Sequence, residues 1–391
     1  MEEKMHNIAI IGTGGIGKVH FNAFINDGRC RIKALCSRTP SKCTELAATL
    51  GKDGEDITIT DDWHTLLDRD DIDIVSIALP PELHEETASA FLRSGKHVLL
   101  EKPMALSLDE EDKMIQSRDE SGKKLGIIFQ NRYYTSIQRA KKMLEDGCFG
   151  KILSVDVTSH WFRGVNYHNL YWRGTWRSEG GGCLTSQGVH QVDMLLWLMG
   201  SLPTSIYAIM DNKKHTNSET EDMGMAVMRF PSALGTFTSS LCDMDEFQGF
   251  RFQCEKAAFT LPEWKVSVKK PQPNGYPEED REREEELMRI FSSIPAEEKE
   301  GHDSAISRFI DAIENGEEPD ATAEDGRRAT EFIDAFYLSA ATGKEVKLPL
   351  KPTDAVYTTE GLVATMPAFF HKSISTESQS GTMTLGSASR K

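Results

Sequence analysis

One histidine in the sequence lies in a motif that would suit an acid/base catalyst. It is His190, within GGGCLTSQGVHQVD, where three glycines lead into an apolar, helix-like segment. The ordinary imidazole pKa of about 6.5 suits proton transfer near neutral pH. A histidine packed on a core helix would give the same pattern, because the residues around it are apolar at three- and four-residue spacings. Other motifs must decide between these two interpretations.

A glycine-rich turn near the N-terminus predicts a dinucleotide site. The apolar run NIAII is typical of a buried parallel strand, and GTGGIG follows it directly before a helical segment. Gly12 would permit the tight turn, Gly14 would let the backbone approach a pyrophosphate, and Gly17 would let the helix lie close to the sheet. The helix N-terminus would then face the phosphates. The residues of this turn that are predicted to bind the cofactor are Gly12, Thr13, Gly14, Gly15, Ile16 and Gly17.

The end of the second predicted strand bears on the choice between NADP and NAD. An NAD site usually has an acidic residue about 20 positions after the glycines, where it binds the ribose 2′-hydroxyl. Here the sequence is Ser37-Arg38-Thr39, and Lys42 lies one helical turn further on. A 2′-phosphate would meet a hydroxyl and cations at this point, which favours NADP. Alternatively, Arg38 stacks on the adenine and either cofactor binds.

Strand and helix patterns alternate through the first third of the chain. This alternation predicts an α/β Rossmann domain with a doubly wound parallel sheet, over residues 1–129. Ligands of such sheets bind at the carboxyl ends of the strands. Beyond the glycine turn, Ser37, Arg38 and Lys42, the residues predicted to contact the cofactor there are Leu79, Pro80, His84, Glu101, Lys102 and Gln130.

The composition argues against several classes of partner. The chain has 61 acidic and 45 basic residues, a formal net charge of −16, and such a surface repels nucleic-acid phosphates and anionic membranes. The seven cysteines lack the two-residue spacing of zinc and redox motifs, and no constellation predicts a metal site. No apolar run is long enough for a signal peptide or a membrane span. We therefore expect a soluble, cytoplasmic protein that binds no metal, nucleic acid or membrane.

At Glu101-Lys102-Pro103 the sequence resembles the Gfo/Idh/MocA family of NAD(P)-dependent sugar oxidoreductases. GTGGIGKVH, FQNRY, GCFGKILSVDV and WRGTWRSEGGG are further motifs of this resemblance, which covers about residues 5–350. It implies hydride transfer between a nicotinamide cofactor and a hydroxyl or keto carbon of a sugar, glycoside or cyclitol. It also implies that Lys102 lies beside the nicotinamide and the reacting hydroxyl, and that His190 is the acid/base group.

One position departs from the inositol dehydrogenase type of relative. Those relatives have an aspartate four residues before the histidine, and this sequence has Ser186 there, next to Gln187. Four residues are about one helical turn, so Ser186 and His190 are expected to share a face. A serine can bond a sugar hydroxyl but cannot act as a base near pH 7. Lys102 and His190 remain as the proton-handling pair, and Asp193 would either orient the imidazole or interact elsewhere.

The region after the Rossmann domain is rich in predicted strands. Its pattern predicts an α+β domain with a large, mostly antiparallel open sheet over residues 130–352, followed by a C-terminal extension, 353–391, with a flexible end. The resemblance implies a homo-dimer or homo-tetramer built on the open face of the sheet. The predicted substrate-binding residues are Lys102, Arg132, Tyr167, Trp172, Arg173, Ser186, Gln187, His190 and His302.

Aromatic and polar residues around these positions allow a wider pocket. His160, Trp161, Arg163 and Trp176 would belong to it, or would be core packing. Two other functions are compatible with the motifs. The protein could hold NAD(H) tightly and use it transiently during glycoside cleavage through a 3-keto intermediate. It could also be a non-catalytic, nucleotide-sensing regulator, although regulators of this kind would be expected to lack Lys102 or His190.

Overall fold

The computed structural model describes residues 5–378, which divide into two compact units. The first unit contains the chain up to Gln130 together with Lys299–Arg327, and the second contains Asn131–Glu298 and the chain from Arg328 onward. Residues 299–327 thus belong to the first unit, although they follow most of the second unit in the chain. The end of the predicted flexible extension, residues 379–391, lies outside the described residues.

Six strands form the sheet of the first unit in the order β3-β2-β1-β4-β5-β6, and every described pair is parallel. This is the strand order of a Rossmann fold, so the predicted doubly wound parallel sheet is confirmed. The order reverses between β1 and β4, whose carboxyl ends form the crevice where such folds bind ligands. The strands are β1 (His6–Ile11), β2 (Cys30–Cys36), β3 (Thr58–Thr60), β4 (Ile74–Ile77), β5 (His97–Leu100) and β6 (Leu125–Ile127).

The helices of the first unit connect these strands. They are α1 (Gly15–Asp27), α2 (Pro40–Ala48), α3 (His84–Arg93) and α4 (Leu108–Ser121). Helix α1 begins directly after the glycine turn and ends at Gly28, which adopts the left-handed conformation of a C-cap. Helices α1, α3 and α4 therefore begin at the carboxyl ends of strands, on the side of the sheet where the predicted cofactor residues lie.

The second unit is built on an eight-stranded sheet in the order β13-β12-β11-β7-β10-β9-β8-β16. Strands β7 and β10 pair in parallel and the other described pairs are antiparallel, which confirms the predicted large, mostly antiparallel sheet. The strands are β7 (Ile152–His160), β8 (Ser205–Asp211), β9 (Met223–Arg229), β10 (Leu234–Ser240), β11 (Gln248–Cys254), β12 (Ala258–Leu261), β13 (Lys265–Ser267), a separate ribbon of β14 (Lys269–Pro271) and β15 (Pro277–Glu279), and β16 (Val346–Lys347).

Seven further helices complete the described chain. They are α5 (Thr135–Glu145), α6 (Trp176–Glu179), α7 (Val189–Met199), α8 (Arg281–Ser293), α9 (Gly301–Asn315), α10 (Ala323–Thr342) and α11 (Thr359–Thr365). Helix α9 belongs to the first unit, where it packs against α1, and α7 packs against β7 in the second unit. Among residues 5–378, no helix is both long and apolar enough to cross a membrane.

Candidate active site

The glycine turn has the backbone geometry that its sequence predicts. Gly12 has a φ of +95°, and a Cβ there would lie 2.4 Å from the carbonyl oxygen of Ala78, so a side chain is excluded twice. A Cβ at Gly17 would lie 1.9 Å from the Gly12 carbonyl oxygen, which lets α1 start close against the turn. A Cβ at Gly14 would have none of the surrounding atoms within 4 Å. The turn therefore leaves open space directly in front of the helix N-terminus.

The predicted 2′-phosphate residues follow β2. The Ser37 N–H donates to the Thr60 carbonyl oxygen (3.1 Å), which ties the end of β2 to the end of β3. Arg38 is exposed and Lys42 is exposed in the first turn of α2. A guanidinium and an ammonium thus lie after the carboxyl end of β2.

His84 joins the ends of two strands. Its ring nitrogens lie 2.9 Å from the carbonyl oxygens of Leu79 and Pro103, and the side chain is buried. The first carbonyl belongs to the turn after β4 and the second to the Glu101-Lys102-Pro103 turn after β5. His84 therefore links the turn after β4 to the turn after β5.

A buried cluster surrounds the glutamate that precedes Lys102. His20 Nε2 lies 3.0 Å from Glu101 Oε1, and His302 Nε2 lies 3.9 Å from the same oxygen. Burial alone would raise the pKa of Glu101, but the His20 hydrogen bond and nearby positive charge lower it to about 2. Burial lowers the pKa of His302 to about 4, so its ring is neutral near pH 7. His302, one of the predicted substrate-binding residues, thus lies beside the Glu101 carboxylate.

Two groups among the described residues bring possible metal ligands within 4.8 Å of one another, namely His20, Glu101 and His302, and His215, Asp222 and Cys242. In the second group the two His215 nitrogens lie 2.8 Å from Asp222 Oδ2 and 3.0 Å from the Arg163 carbonyl oxygen. In the first group, His20 Nδ1 lies 2.8 Å from Ser76 Oγ in addition to its contact with Glu101. Hydrogen bonds thus hold His20 with Glu101 and His215 with Asp222, whereas the buried His302 Nε2 has no hydrogen-bond partner among the described residues.

The helix that carries His190 begins with a wider turn than the sequence predicts. Leu184–Gly188 forms a π-helix, and His190 is the second residue of α7, which follows it. Single π turns of this kind are frequent at functional sites. The Ser186 hydroxyl donates to the Gly182 carbonyl oxygen (2.8 Å). Because Ser186 lies in the π turn, the expected one-turn alignment of Ser186 with His190 does not follow the regular 3.6-residue period.

A buried carboxylate binds the N-terminus of this helical segment. Glu221 accepts hydrogen bonds from the N–H groups of Gly182 (2.9 Å) and Leu184 (3.1 Å) and from the Tyr337 hydroxyl (2.8 Å). A Cβ at Gly182 would lie 1.8 Å from the Glu221 carbonyl oxygen, so the close approach needs glycine. Burial raises the pKa of Glu221 to about 7, although these hydrogen bonds act in the opposite direction.

Three predicted substrate residues form one stack in the second unit. The Arg173 guanidinium lies 4.1 Å from the ring centres of both Tyr167 and Trp172. Arg173 is bound at 2.6 Å by Glu179, whose other oxygen accepts the Gly174 N–H at 2.6 Å. The Gln187 amide donates to the Tyr167 hydroxyl (3.3 Å), which links the stack to the π turn before His190. The structure thus brings Tyr167, Trp172, Arg173 and Gln187 together.

Arg132, also predicted to bind substrate, lies in a buried ion pair. Its Nε donates to Asp193 Oδ2 (2.8 Å), and Nη2 donates to the other carboxylate oxygen. Both side chains are 2% exposed. Asp193 therefore interacts with Arg132, and this ion pair fixes α7 against the turn that contains Arg132.

The wider set of predicted pocket residues makes mostly structural contacts. His160 Nε2 lies 2.9 Å from Thr238 Oγ1, across the β7–β10 pair. Trp161 and Trp176 are buried, and their indole N–H groups donate to Ser159 Oγ and to the Pro367 carbonyl oxygen. Arg163 binds Glu246. The core-packing alternative thus describes these contacts well.

The first unit fits a dinucleotide. The open space at Gly14 lies where a pyrophosphate would approach the N-terminus of α1. Among residues 5–378, the buried Gln130 Oε1 has no hydrogen-bond partner, so an acceptor is available at the end of the unit. A nicotinamide dinucleotide, when bound, supplies the hydride donor or acceptor for alcohol oxidation and ketone reduction.

Family models match both halves of the sequence. The model "Oxidoreductase family, NAD-binding Rossmann fold" matches residues 6–129, and "Oxidoreductase family, C-terminal alpha/beta domain" matches residues 141–348. The chain belongs to the Gfo/Idh/MocA oxidoreductase family. The predicted family resemblance is therefore confirmed, and the Rossmann unit is an NAD-binding domain of this family.

Several similar proteins have names or titles that denote dehydrogenases or reductases of carbohydrates. The levoglucosan dehydrogenase of Pseudarthrobacter phenanthrenivorans is 30% identical over 50% of this chain, which spans about half (51%) of that protein's length. The 1,5-anhydro-D-fructose reductase of Ensifer adhaerens is 26% identical over 88% of this chain and 99% of that protein. The solved WlbA dehydrogenase of Bordetella pertussis, in complex with NADH and UDP-GlcNAcA, is 26% identical with a TM-score of 0.75, over 89% of this chain and 100% of that one.

Sequence reasoning missed three buried groups of this Gfo/Idh/MocA protein. His20, Glu179 and Glu221 are each 0–2% exposed and each bonds a turn that carries a predicted site residue. The sequence did offer signals for two of them: His20 follows the glycine turn closely, and Glu179 directly precedes the three glycines. Glu221 gives no local signal, because its partners lie about 40 residues earlier in the chain.

Proposed function

We propose that this protein is an NAD(P)-dependent oxidoreductase that transfers a hydride between a nicotinamide cofactor and a hydroxyl or keto carbon of a sugar, glycoside or cyclitol. The proposal rests on the first unit, where an open glycine turn precedes α1 and the Lys102 motif follows β5. In the second unit, His190 directly follows a π turn. The carbohydrate relatives support the same reaction class.

In this proposal two side chains handle the proton. His190 takes the hydroxyl proton during oxidation and returns it during reduction, as an imidazole does near neutral pH. The Lys102 ammonium stabilises the developing alkoxide. Glu101, held by His20, fixes the backbone before Lys102, whose N–H donates to the Glu101 carboxylate at 3.2 Å. The buried carboxylate thus orients the motif without taking part in the proton transfer.

We propose an uncharged saccharide as substrate. Tyr167 and Trp172 offer aromatic faces, on which the apolar face of a sugar ring packs. The cations beside them are already neutralised, because Arg173 binds Glu179 at 2.6 Å and Arg163 binds Glu246 at 3.3 Å. A carboxylate or phosphate on the substrate would have to compete with these buried or half-buried ion pairs. Gln187 would bond a sugar hydroxyl.

Three finer points complete the proposal. NADP is preferred over NAD because Ser37, Arg38 and Lys42 offer a hydroxyl and cations where an NAD site usually has a carboxylate. The protein forms a homo-dimer or homo-tetramer through the open face of its large sheet. It works in the cytoplasm, which fits its seven free cysteines.

A substrate screen tests the proposal directly. The full-length protein would be mixed with NADP or NAD and with levoglucosan, methyl glucosides, 1,5-anhydro sugars or myo-inositol, and the absorbance of reduced cofactor would be followed. We expect net reduction with at least one saccharide, faster with NADP. If the absorbance of reduced cofactor does not change with any of these compounds although the cofactor is bound, the dehydrogenase proposal is wrong. A cofactor that co-purifies and shows no net turnover would point to transient redox use in glycoside cleavage.

A further inference from the structure

The chain beyond residue 348, where the family match ends, returns to the loop that carries the aromatic stack. We call residues 367–376 the C-terminal strap and residues 165–173 the stack loop, since the latter contains Tyr167, Trp172 and Arg173. Both belong to the second unit. The contacts between them are specific hydrogen bonds.

The far end of the strap pairs with the stack loop as a short strand would. Thr376 forms a parallel bridge with Leu170. The Thr376 N–H donates to the Asn169 carbonyl oxygen (2.7 Å), and the Tyr171 N–H donates to the Thr376 carbonyl oxygen (3.0 Å). The backbone on both sides of Leu170 is therefore bonded to the strap, directly before Trp172 and Arg173.

Asn217 clamps the same two segments with its side chain. Its Oδ1 accepts the N–H groups of Ser373 (2.8 Å) and Ile374 (2.9 Å), and its Nδ2 donates to the Ile374 carbonyl oxygen (2.9 Å) and to Asn169 Oδ1 (3.0 Å). Asn217 is 9% exposed. A single buried amide thus bonds the strap through both Oδ1 and Nδ2, and bonds the stack loop through Nδ2.

The near end of the strap is anchored to the elements that flank the stack. The Trp176 indole N–H donates to the Pro367 carbonyl oxygen (2.9 Å), and the Phe369 N–H donates to the Glu219 carbonyl oxygen (3.0 Å). Lys372 Nζ donates to the His168 carbonyl oxygen, within the stack loop itself. The strap therefore contacts the stack loop at His168, Asn169, Leu170 and Tyr171, and continues to α6.

We propose that the C-terminal strap is a specificity-determining segment that holds the stack loop in the shape needed to bind a saccharide ring. This rests on the proposed function, because the stack is taken as the sugar platform. The hydrogen bonds of the strap go to the backbone of the loop and, through Asn217, to the Asn169 amide, so the strap would set the position of Tyr167 and Trp172 without being a catalytic group. Loosening it should weaken saccharide binding while the cofactor, bound by the first unit, is held as before.

Full-length Thr376→Pro tests the proposal, because at this exposed position proline removes both the N–H (2.7 Å) and the hydroxyl (3.1 Å) that donate to the Asn169 carbonyl oxygen. Ser378→Pro makes the same change two residues further on and is the matched control. We expect the KM for the saccharide to rise at least about tenfold in Thr376→Pro, with kcat within about threefold and the Kd for NADP unchanged. Lys372→Met, which removes the bond to His168, should act in the same direction.

Hydrogen exchange provides a second readout that does not depend on turnover. The Tyr171 amide, bonded to Thr376, should exchange at least about tenfold faster in Thr376→Pro than in wild type or Ser378→Pro. If the wild-type chain turns over no saccharide, the proposed function fails. If it does so and Thr376→Pro keeps the wild-type KM or wild-type exchange at Tyr171, the strap proposal is wrong and the proposed function stands.

Discussion

Lys102 and His190 are the side chains whose removal should affect chemistry most. We expect Lys102→Ala and His190→Ala each to lower kcat by about 10²–10⁴, because each removes a group that stabilises or transfers charge in the transition state. Steady-state kinetics at saturating saccharide and cofactor measure the effect. Lys123→Ala, on a half-buried lysine after α4, is the control for loss of one positive charge. Wild-type turnover in either variant would remove that residue from the mechanism.

Ser37 should control the choice of cofactor. In Ser37→Asp a carboxylate stands where an NAD site usually binds the ribose hydroxyls and where a 2′-phosphate would be repelled. We expect the ratio of kcat/KM for NADP to that for NAD to fall at least about tenfold. Thr342→Asp adds the same charge at an exposed site in the second unit and should leave the ratio unchanged. An unaltered ratio in Ser37→Asp would refute the NADP argument.

Two glycines of the turn should respond differently to substitution, one in protein stability and the other in cofactor affinity. In Gly17→Ala the new methyl group would lie 1.9 Å from the Gly12 carbonyl oxygen, so α1 must shift and the melting temperature should drop by several degrees. In Gly14→Ala the methyl group meets open space, so stability should hold while cofactor affinity falls at least about tenfold. Thermal melts with and without NADP measure both. If the two variants show the same change in melting temperature and in cofactor affinity, this turn does not have the proposed role in cofactor binding.

The carboxylate at the start of the His190 helix should make stability depend on pH. Burial raises the pKa of Glu221 to about 7, so between about pH 4.5 and 7 the folded protein keeps a proton that the unfolded chain has released. This contribution is therefore complete below about pH 4.5, falls as the pH rises, and levels off above about pH 7, with a total on the order of 3 kcal/mol. Urea unfolding of wild type and Glu221→Gln from pH 5 to 8 measures it.

The Glu221 prediction has a clear control and a clear contrary outcome. Glu282→Gln alters an exposed carboxylate in the first turn of α8 and should keep the wild-type pH profile. In Glu221→Gln the fall in unfolding free energy between pH 5 and 7 should be smaller than in wild type. If both variants and wild type show parallel profiles, Glu221 does not titrate in this range.

The sequence predicted those elements whose geometry depends on near neighbours. The glycine turn is determined by residues 12–17 and the strand before it, so its φ values and close approaches could be anticipated. Partners distant in the chain could not be anticipated. Arg132 binds Asp193 across 61 residues, and Glu221 reaches back to Gly182 across 39. The π turn before α7 was also missed, because a regular period of 3.6 was assumed through Ser186.

The large sheet gives the whole molecule an apolar face that the described chain leaves exposed. Alternate residues of β8 and β9 form it, and Tyr207 lies opposite Val227 while Ile209 lies opposite Met225. These four side chains are 45–59% exposed. A contiguous apolar patch across two neighbouring strands is typical of an association surface, and a face that pairs with its own copy gives a closed dimer.

Assembly through this face predicts a charge-sensitive oligomer. In Val227→Asp a carboxylate would have to be buried against apolar side chains of the second copy, which costs several kcal/mol without a partner. We expect size-exclusion chromatography with light scattering to give a dimer or tetramer for wild type and a smaller species for Val227→Asp at the same concentration. Met244→Asp is the matched control, since Met244 is 79% exposed but lies in the loop after β10. A monomeric wild type, or a Val227→Asp variant that assembles like wild type, would show that this face is not the interface, and the exposed rows of β8 and β9 would then need another partner.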